Sequence, residues 1–199
     1  MSSVLPEDPL AGSSTSPKIR YSSVSALLAW LSMTGRSLPF DPIERAAELW
    51  AERIGPAETM AAVTSVMRVQ QIVQSAVDGA LRPHKLTFAR YEALVLLTFS
   101  RQGSLPMRVM GERLQLHPTS VTNIVDRLEA DGLVVRAPHP TDRRTTLVAI
   151  TDDGRTRMKA ATEAVTEANF GLAGLTPRQT EQLTELLAKV RKATGDFAS

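Results

Sequence analysis

Residues 105–151 read LPMRVMGERLQLHPTSVTNIVDRLEADGLVVRAPHPTDRRTTLVAIT, and the order of patterns in that stretch decides the fold. Two short helical patterns joined by a tight connection come first, then two strand-like runs around a polar, basic loop. In the second helix Val121, Ile124, Val125 and Leu128 recur at i, i+3, i+4 and i+7, an apolar stripe that belongs against a core. The opposite face carries Thr119, Ser120, Thr122, Asn123, Asp126 and Arg127. Pro118 suits a first helical turn and Gly132 a left-handed residue just past the end, so the spacing predicts a helix from Pro118 to Asp131.

The helix before it, Met107 to Leu114, is separated from it only by Gln115, Leu116 and His117. So short a link packs the two helices at a steep angle and leaves the N-terminal half of the second projecting. Small polar side chains there can approach base edges and phosphates in a major groove. A polar face with one arginine is by itself only a solvated helix surface. The hairpin pattern after the helix shifts the balance. Leu133 to Ala137 and Thr145 to Ile150 are strand-like, and the loop between them, PHPTDRR, holds Asp142, Arg143 and Arg144. Adjacent arginines at a hairpin tip suit a narrow minor groove, and Asp142 is placed to pair with one of them and fix its direction. Fold class is therefore mainly α with a small β-wing, a winged helix-turn-helix with Pro118, Thr119, Ser120, Thr122, Asn123, Arg127, Asp142, Arg143 and Arg144 as candidate DNA-binding residues.

Asp142-Arg143-Arg144 followed by Leu147, Ile150 and Thr151, together with Val121-Thr122 and the run Leu128-Glu129-Ala130-Asp131-Gly132-Leu133, resembles the MarR family of winged-helix regulators over roughly Pro56 to Thr194. The resemblance implies a homodimer on a pseudo-palindromic operator in double-stranded DNA, commonly a repressor released by a small-molecule effector. One branch of the family carries a tryptophan on an extra N-terminal helix, an acid on the second core helix and nearby arginines. Trp50, Tyr91, Glu92 and Arg136 stand at matching places and are the effector-binding candidates the resemblance supplies. Ile124 stands where that branch has an arginine, which argues against an anionic purine-like ligand. The plainer reading, favoured on sequence, makes Trp50 core packing and Glu92 a surface charge.

The chain has 199 residues, 43% of them hydrophobic and 22% charged, a composition able to bury a core. A net charge of +2 permits nucleic-acid binding without demanding it, so the placement of arginines must carry that reading. With no cysteine, disulfides, thiolate zinc sites and the cysteine-based peroxide sensing of some family members are excluded.

Residues 1–40 read as a disordered or weakly ordered extension, rich in Ser and Pro before the apolar run Val24 to Met33, which is too short to span a bilayer. No membrane association and a cytoplasmic location are expected. Residues 41–194 read as the family-like domain: N-terminal helices in 41–82, the winged helix-turn-helix in 87–151 and C-terminal dimerisation helices in 152–194. Asp41-Pro42-Ile43-Glu44 starts an amphipathic helix with Ile43, Ala46, Ala47, Trp50 and Ile54 on one stripe. A long helix from Pro56 to Leu81 comes next, with Val63, Met67, Val73, Val77 and Leu81 as burial candidates, then one from Phe88 to Arg101. Leu105 is expected to add a short third strand. Thr151-Asp152-Asp153 and Thr176-Pro177-Arg178-Gln179 open two further helices. Leu183, Leu186, Leu187 and Val190 form the stripe of the last, a surface suited to a dimer interface.

Nothing points to an enzyme. There is no phosphate loop and no dinucleotide fingerprint, and His84, His117 and His139 lack the spacing of metal ligands, so no catalytic residue, metal or cofactor is expected. The rival reading is a winged-helix module that binds a protein partner, or DNA without sequence preference.

Overall fold

The computed structural model describes residues 38–138 and 145–197, and these divide into two units split after Ala61. The expectations placed on residues 1–37 and on the wing tip, His139 to Arg144, lie outside the described residues.

In the first unit, helix α1 spans Pro42–Arg53. Asp41 caps it, its carboxylate accepting the N–H groups of Ile43 and Glu44 at 2.8 and 3.4 Å, which satisfies amides that a helix start leaves without partners. Ile43, Ala46, Ala47 and Trp50 are half-buried, whereas Ile54 is exposed. The next helix, α2 (Glu58–Leu81), begins in this unit, two residues after the expected Pro56, and runs into the second.

The second unit holds the core. Helix α3 (Phe88–Phe99), capped by the Thr87 hydroxyl, is followed by strand β1 (Ser104–Pro106), helix α4 (Met107–Leu114) and helix α5 (Pro118–Ala130). Strands β2 (Val134–Pro138) and β3 (Thr146–Ile150), helix α6 (Asp152–Glu167) and helix α7 (Pro177–Ala193) complete it. The strands form one antiparallel sheet in the order β1-β3-β2, with Leu105 opposite Val148 and Val134 opposite Ile150. The order puts β3 in the middle and leaves β2 on an edge.

α3 is the central member, packed on α4, α5, α6 and β3. Leu94 and Leu97 from α3 are fully buried with Met110, Val121, Val125, Leu128, Leu133, Val148 and Val165. Burial of each such side chain contributes about 1.5–3 kcal/mol, so this cluster fixes the helix-turn-helix against the sheet. Ile124 packs at its margin. The start of α6 is held close to the wing by Gly154, where an added Cβ would lie 2.1 Å from the Leu133 carbonyl oxygen.

Two apolar faces named in the sequence are open in the single chain. Val63 and Met67 on α2 are 52% and 54% exposed; towards its end Val77 and Leu81 are buried in the core, and Val73 and Ala80 pack against it. On α7 the capping box of Thr176 and Gln179 forms as expected, but Leu186, Leu187 and Val190 remain exposed and only Leu183 is half-buried. The periodicity correctly identifies an apolar face in both helices. It does not say whose surface covers that face.

Candidate nucleic-acid interface

α5 is built so that its two faces have opposite fates. Val121, Val125 and Leu128 are sealed in the core, while Pro118, Thr119, Ser120, Thr122, Asn123 and Arg127 are all exposed. The turn that aims it is short and specific. Gln115 ends α4 in the left-handed region at φ 54°, its N–H bonded to the Gly111 carbonyl, and Leu116 bonds to the same carbonyl at 3.0 Å. His117 then caps α5: its Nδ1 accepts the Thr119 N–H at 3.3 Å. The sequence shows His117 only as part of the three-residue link, and this role is not legible there because imidazole is not among the usual capping groups. Thr122 bends its hydroxyl back to the Pro118 carbonyl at 3.0 Å.

The C-terminal half of α5 is acidic and is tied to the wing. Asp126 and Glu129, one turn apart, both accept from the guanidinium of Arg136 on β2. The Glu129 carboxylate also accepts the Arg136 backbone N–H at 3.0 Å. Burial alone would lower the Arg136 pKa, but the hydrogen bonds and charges of Asp126 and Glu129 outweigh it and hold the group above its ordinary range. Asp131, just past α5, pairs with Arg90 of α3 at 3.1 Å. α5, the edge strand β2 and the central helix α3 are thus joined by ion pairs as well as by the core they share.

The effector candidates have separate surroundings. Tyr91 is buried, and its hydroxyl lies 3.1 Å from the Thr162 hydroxyl of α6. Its neighbour Glu92 is exposed, although partial burial raises its carboxyl above the usual range. Arg136 is engaged by Asp126 and Glu129, and Trp50 is half-buried in the first unit. Asp142, Arg143 and Arg144 lie outside the described residues. The signal that sequence reading passed over is the spacing of Asp126 and Glu129, which puts two carboxylates on one helix face before a strand that carries an arginine. Among the described residues no group of His, Asp and Glu is disposed to hold a metal, and no helix is long and apolar enough to cross a membrane.

Comparison with known proteins gives the same architecture. A family model described as MarR family matches residues 84–145. The HTH-type transcriptional regulator TtmR of Methylorubrum extorquens is 33% identical over 111 residues, 56% of this chain and 55% of the relative, so the chain spans about half of that protein's length. Among solved structures, Sco5413, a MarR family transcriptional regulator from Streptomyces coelicolor, is 50% identical with a TM-score of 0.65, the match covering 71% of this chain and 99% of that one. CouR from Rhodococcus jostii RHA1, solved bound to p-coumaroyl-CoA, is 32% identical with a TM-score of 0.56, covering 63% of this chain and 87% of that one.

Proposed function

The chain belongs to the MarR family of transcriptional regulators and is not an enzyme, and on that premise we propose that it is a homodimeric, sequence-specific DNA-binding repressor released by a small-molecule effector. The observation that carries the reading is α5: an apolar stripe with Val121, Val125 and Leu128 sealed in the core, and an exposed face of Thr119, Ser120, Thr122, Asn123 and Arg127 directed outward by a three-residue turn. Two copies of α5 in successive major grooves lie roughly 34–36 Å apart on a pseudo-palindromic operator. Asn123 reads base edges, Arg127 and Pro118-Thr119-Ser120 approach the backbone, and Arg143 and Arg144, with Asp142 orienting one of them, reach the flanking minor grooves.

The second copy is supported by α2 and α7. Val63, Val66, Met67, Val69 and Ile72 on α2, with Leu186, Leu187 and Val190 on α7, are exposed large apolar side chains, the composition of an interface and not of a solvated helix. An effector acts by preferring one spacing of the two winged helices over the other, and its leverage equals that preference. CouR's ligand supports an effector of some kind. Trp50, Tyr91, Glu92 and Arg136 remain the candidate contacts, and the existing partners of Tyr91 and Arg136 would have to be exchanged for it.

The test is a fluorescence-anisotropy titration against the duplex upstream of the protein's own gene, beside a shuffled duplex of equal length, at stated salt. Tighter binding to the first with one dimer per site is expected. Equal binding to both, persisting with genomic fragments, would favour the non-specific reading, and no binding to either would favour a protein partner. Asn123→Ala is expected to narrow the ratio between the two duplexes by about 1–3 kcal/mol, most of it lost from the specific site.

A further inference from the structure

The end of α7 reaches back to the turn of the helix-turn-helix. Gly195, at φ 74°, reverses the chain: its N–H bonds to the Lys192 carbonyl and the Asp196 N–H to the Arg191 carbonyl, both at 3.0 Å. These are the paired bonds of a Schellman ending, which fixes the direction in which residue 196 leaves the helix. The Asp196 carboxylate is thereby held between two donors. One oxygen accepts from Arg191 Nε at 2.7 Å and the other from Gln115 Nε2 at 3.0 Å, a contact across 81 residues of chain. Gln115 Nε2 also lies 3.4 Å from the Asp196 carbonyl oxygen. Arg191 in turn stands 5.3 Å from the centre of the Phe197 ring.

Both ends of this link are locally built. Gln115 is committed to its left-handed conformation by the helix ending of α4, and Asp196 by Gly195 and Arg191. The link also joins two regions with different tasks. Gln115 is the first of the three residues that set the angle of α5. Leu187 and Val190, in the turn before Arg191, belong to the exposed stripe assigned to the second copy.

We infer that Asp196 is a positioning residue for DNA recognition: through Gln115 it ties the orientation of α5 to the end of the dimerisation helix. This rests on the proposed DNA-binding function. A carboxylate acceptor makes this bond stronger than an ordinary amide pair, and only one chain of contacts is needed to pass a displacement of α7 to the start of α5.

The test uses the full chain and three variants: Asp196→Ala, Gln115→Glu, and the exchange Gln115→Glu with Asp196→Asn. The exchange restores a donor facing an acceptor and keeps the parent's net charge. Each is titrated against the specific and shuffled duplexes at several salt concentrations, with dimer mass measured by light scattering. Asp196→Ala and Gln115→Glu are expected to weaken specific binding by about threefold to tenfold with the dimer intact. Asp196→Ala is expected to leave the salt dependence unchanged, and the exchange to recover most of the loss. Parent-like binding by Asp196→Ala, or an exchange variant as weak as Gln115→Glu, would overturn the inference while the parent's operator preference stands. A parent that distinguishes neither duplex, nor any genomic fragment from shuffled DNA, would remove the sequence-specific reading and this inference together.

Discussion

α5 and α7 have comparable amphipathic patterns and opposite environments. α5 carries its stripe into the core, where Val121, Val125 and Leu128 are at most 2% exposed, while on α7 Leu186 and Val190 are 59% and 64% exposed. Both patterns report a buried face, but burial is a property of an assembly. For α5 the covering surface is α3, α4 and β2 of its own chain. For Leu186 and Val190 of α7, and for the first half of α2, the chain offers none among the described residues, and a second copy is the partner proposed for them.

The contrast can be broken most sharply at Leu128. Leu128→Ala removes a fully buried side chain and is expected to cost about 2–5 kcal/mol of folding stability, read by urea denaturation. A loss confined to a few tenths would mean that α5 is held by its caps and ion pairs and not by its stripe. Leu186→Glu with Val190→Glu makes the opposite test. Folding of the winged helix should survive by circular dichroism, while the dimer weakens by at least about 2 kcal/mol in sedimentation. Unaltered association would move the interface to α2 alone.

Arg136→Met sharpens the comparison at the other edge of α5. It leaves Asp126 and Glu129 facing each other without their cation, and since both carboxylates are substantially exposed, the expected cost is only about 1 kcal/mol in thermal unfolding. Glu92→Gln should have the smallest effect. Partial burial raises the Glu92 carboxyl in the folded protein, so its ionisation opposes folding: that stability is full below the unfolded-state value and falls as pH rises through the folded one. The Gln variant should be slightly more stable than the parent at neutral pH, and the difference should vanish in acid. A difference that grew in acid would reverse the sign of the environment assigned to α3.

The elements were legible because their signals are local. Pro118 and Gly132 bracket α5, Thr176 with Gln179 starts α7, and Leu105 supplies the small strand that pairs with Val148. That Val63 and Met67 stand open in the single chain was not legible, because periodicity reveals a face and not its partner. The site divides in the same way. The exposed polar residues of α5 follow from the stripe opposite them. The acids that hold Arg136, and the hook from Asp196 to Gln115, join residues brought together only by folding, and the second spans 81 positions. His117 as a cap fell between these cases, a local contact made by an uncommon group.

The bond from the Arg136 N–H to Glu129 has a consequence beyond the interface. β2 is an outer strand of the sheet, and the outward amides of such a strand are where another chain would begin to add itself. At Arg136 that amide is already occupied by a carboxylate of the chain's own helix, and two residues on Pro138 has no amide to offer. The wing root is therefore a blunt edge, closed to strand-by-strand growth, so that even in a crowded mixture of partly folded copies it is a poor seed for aggregation.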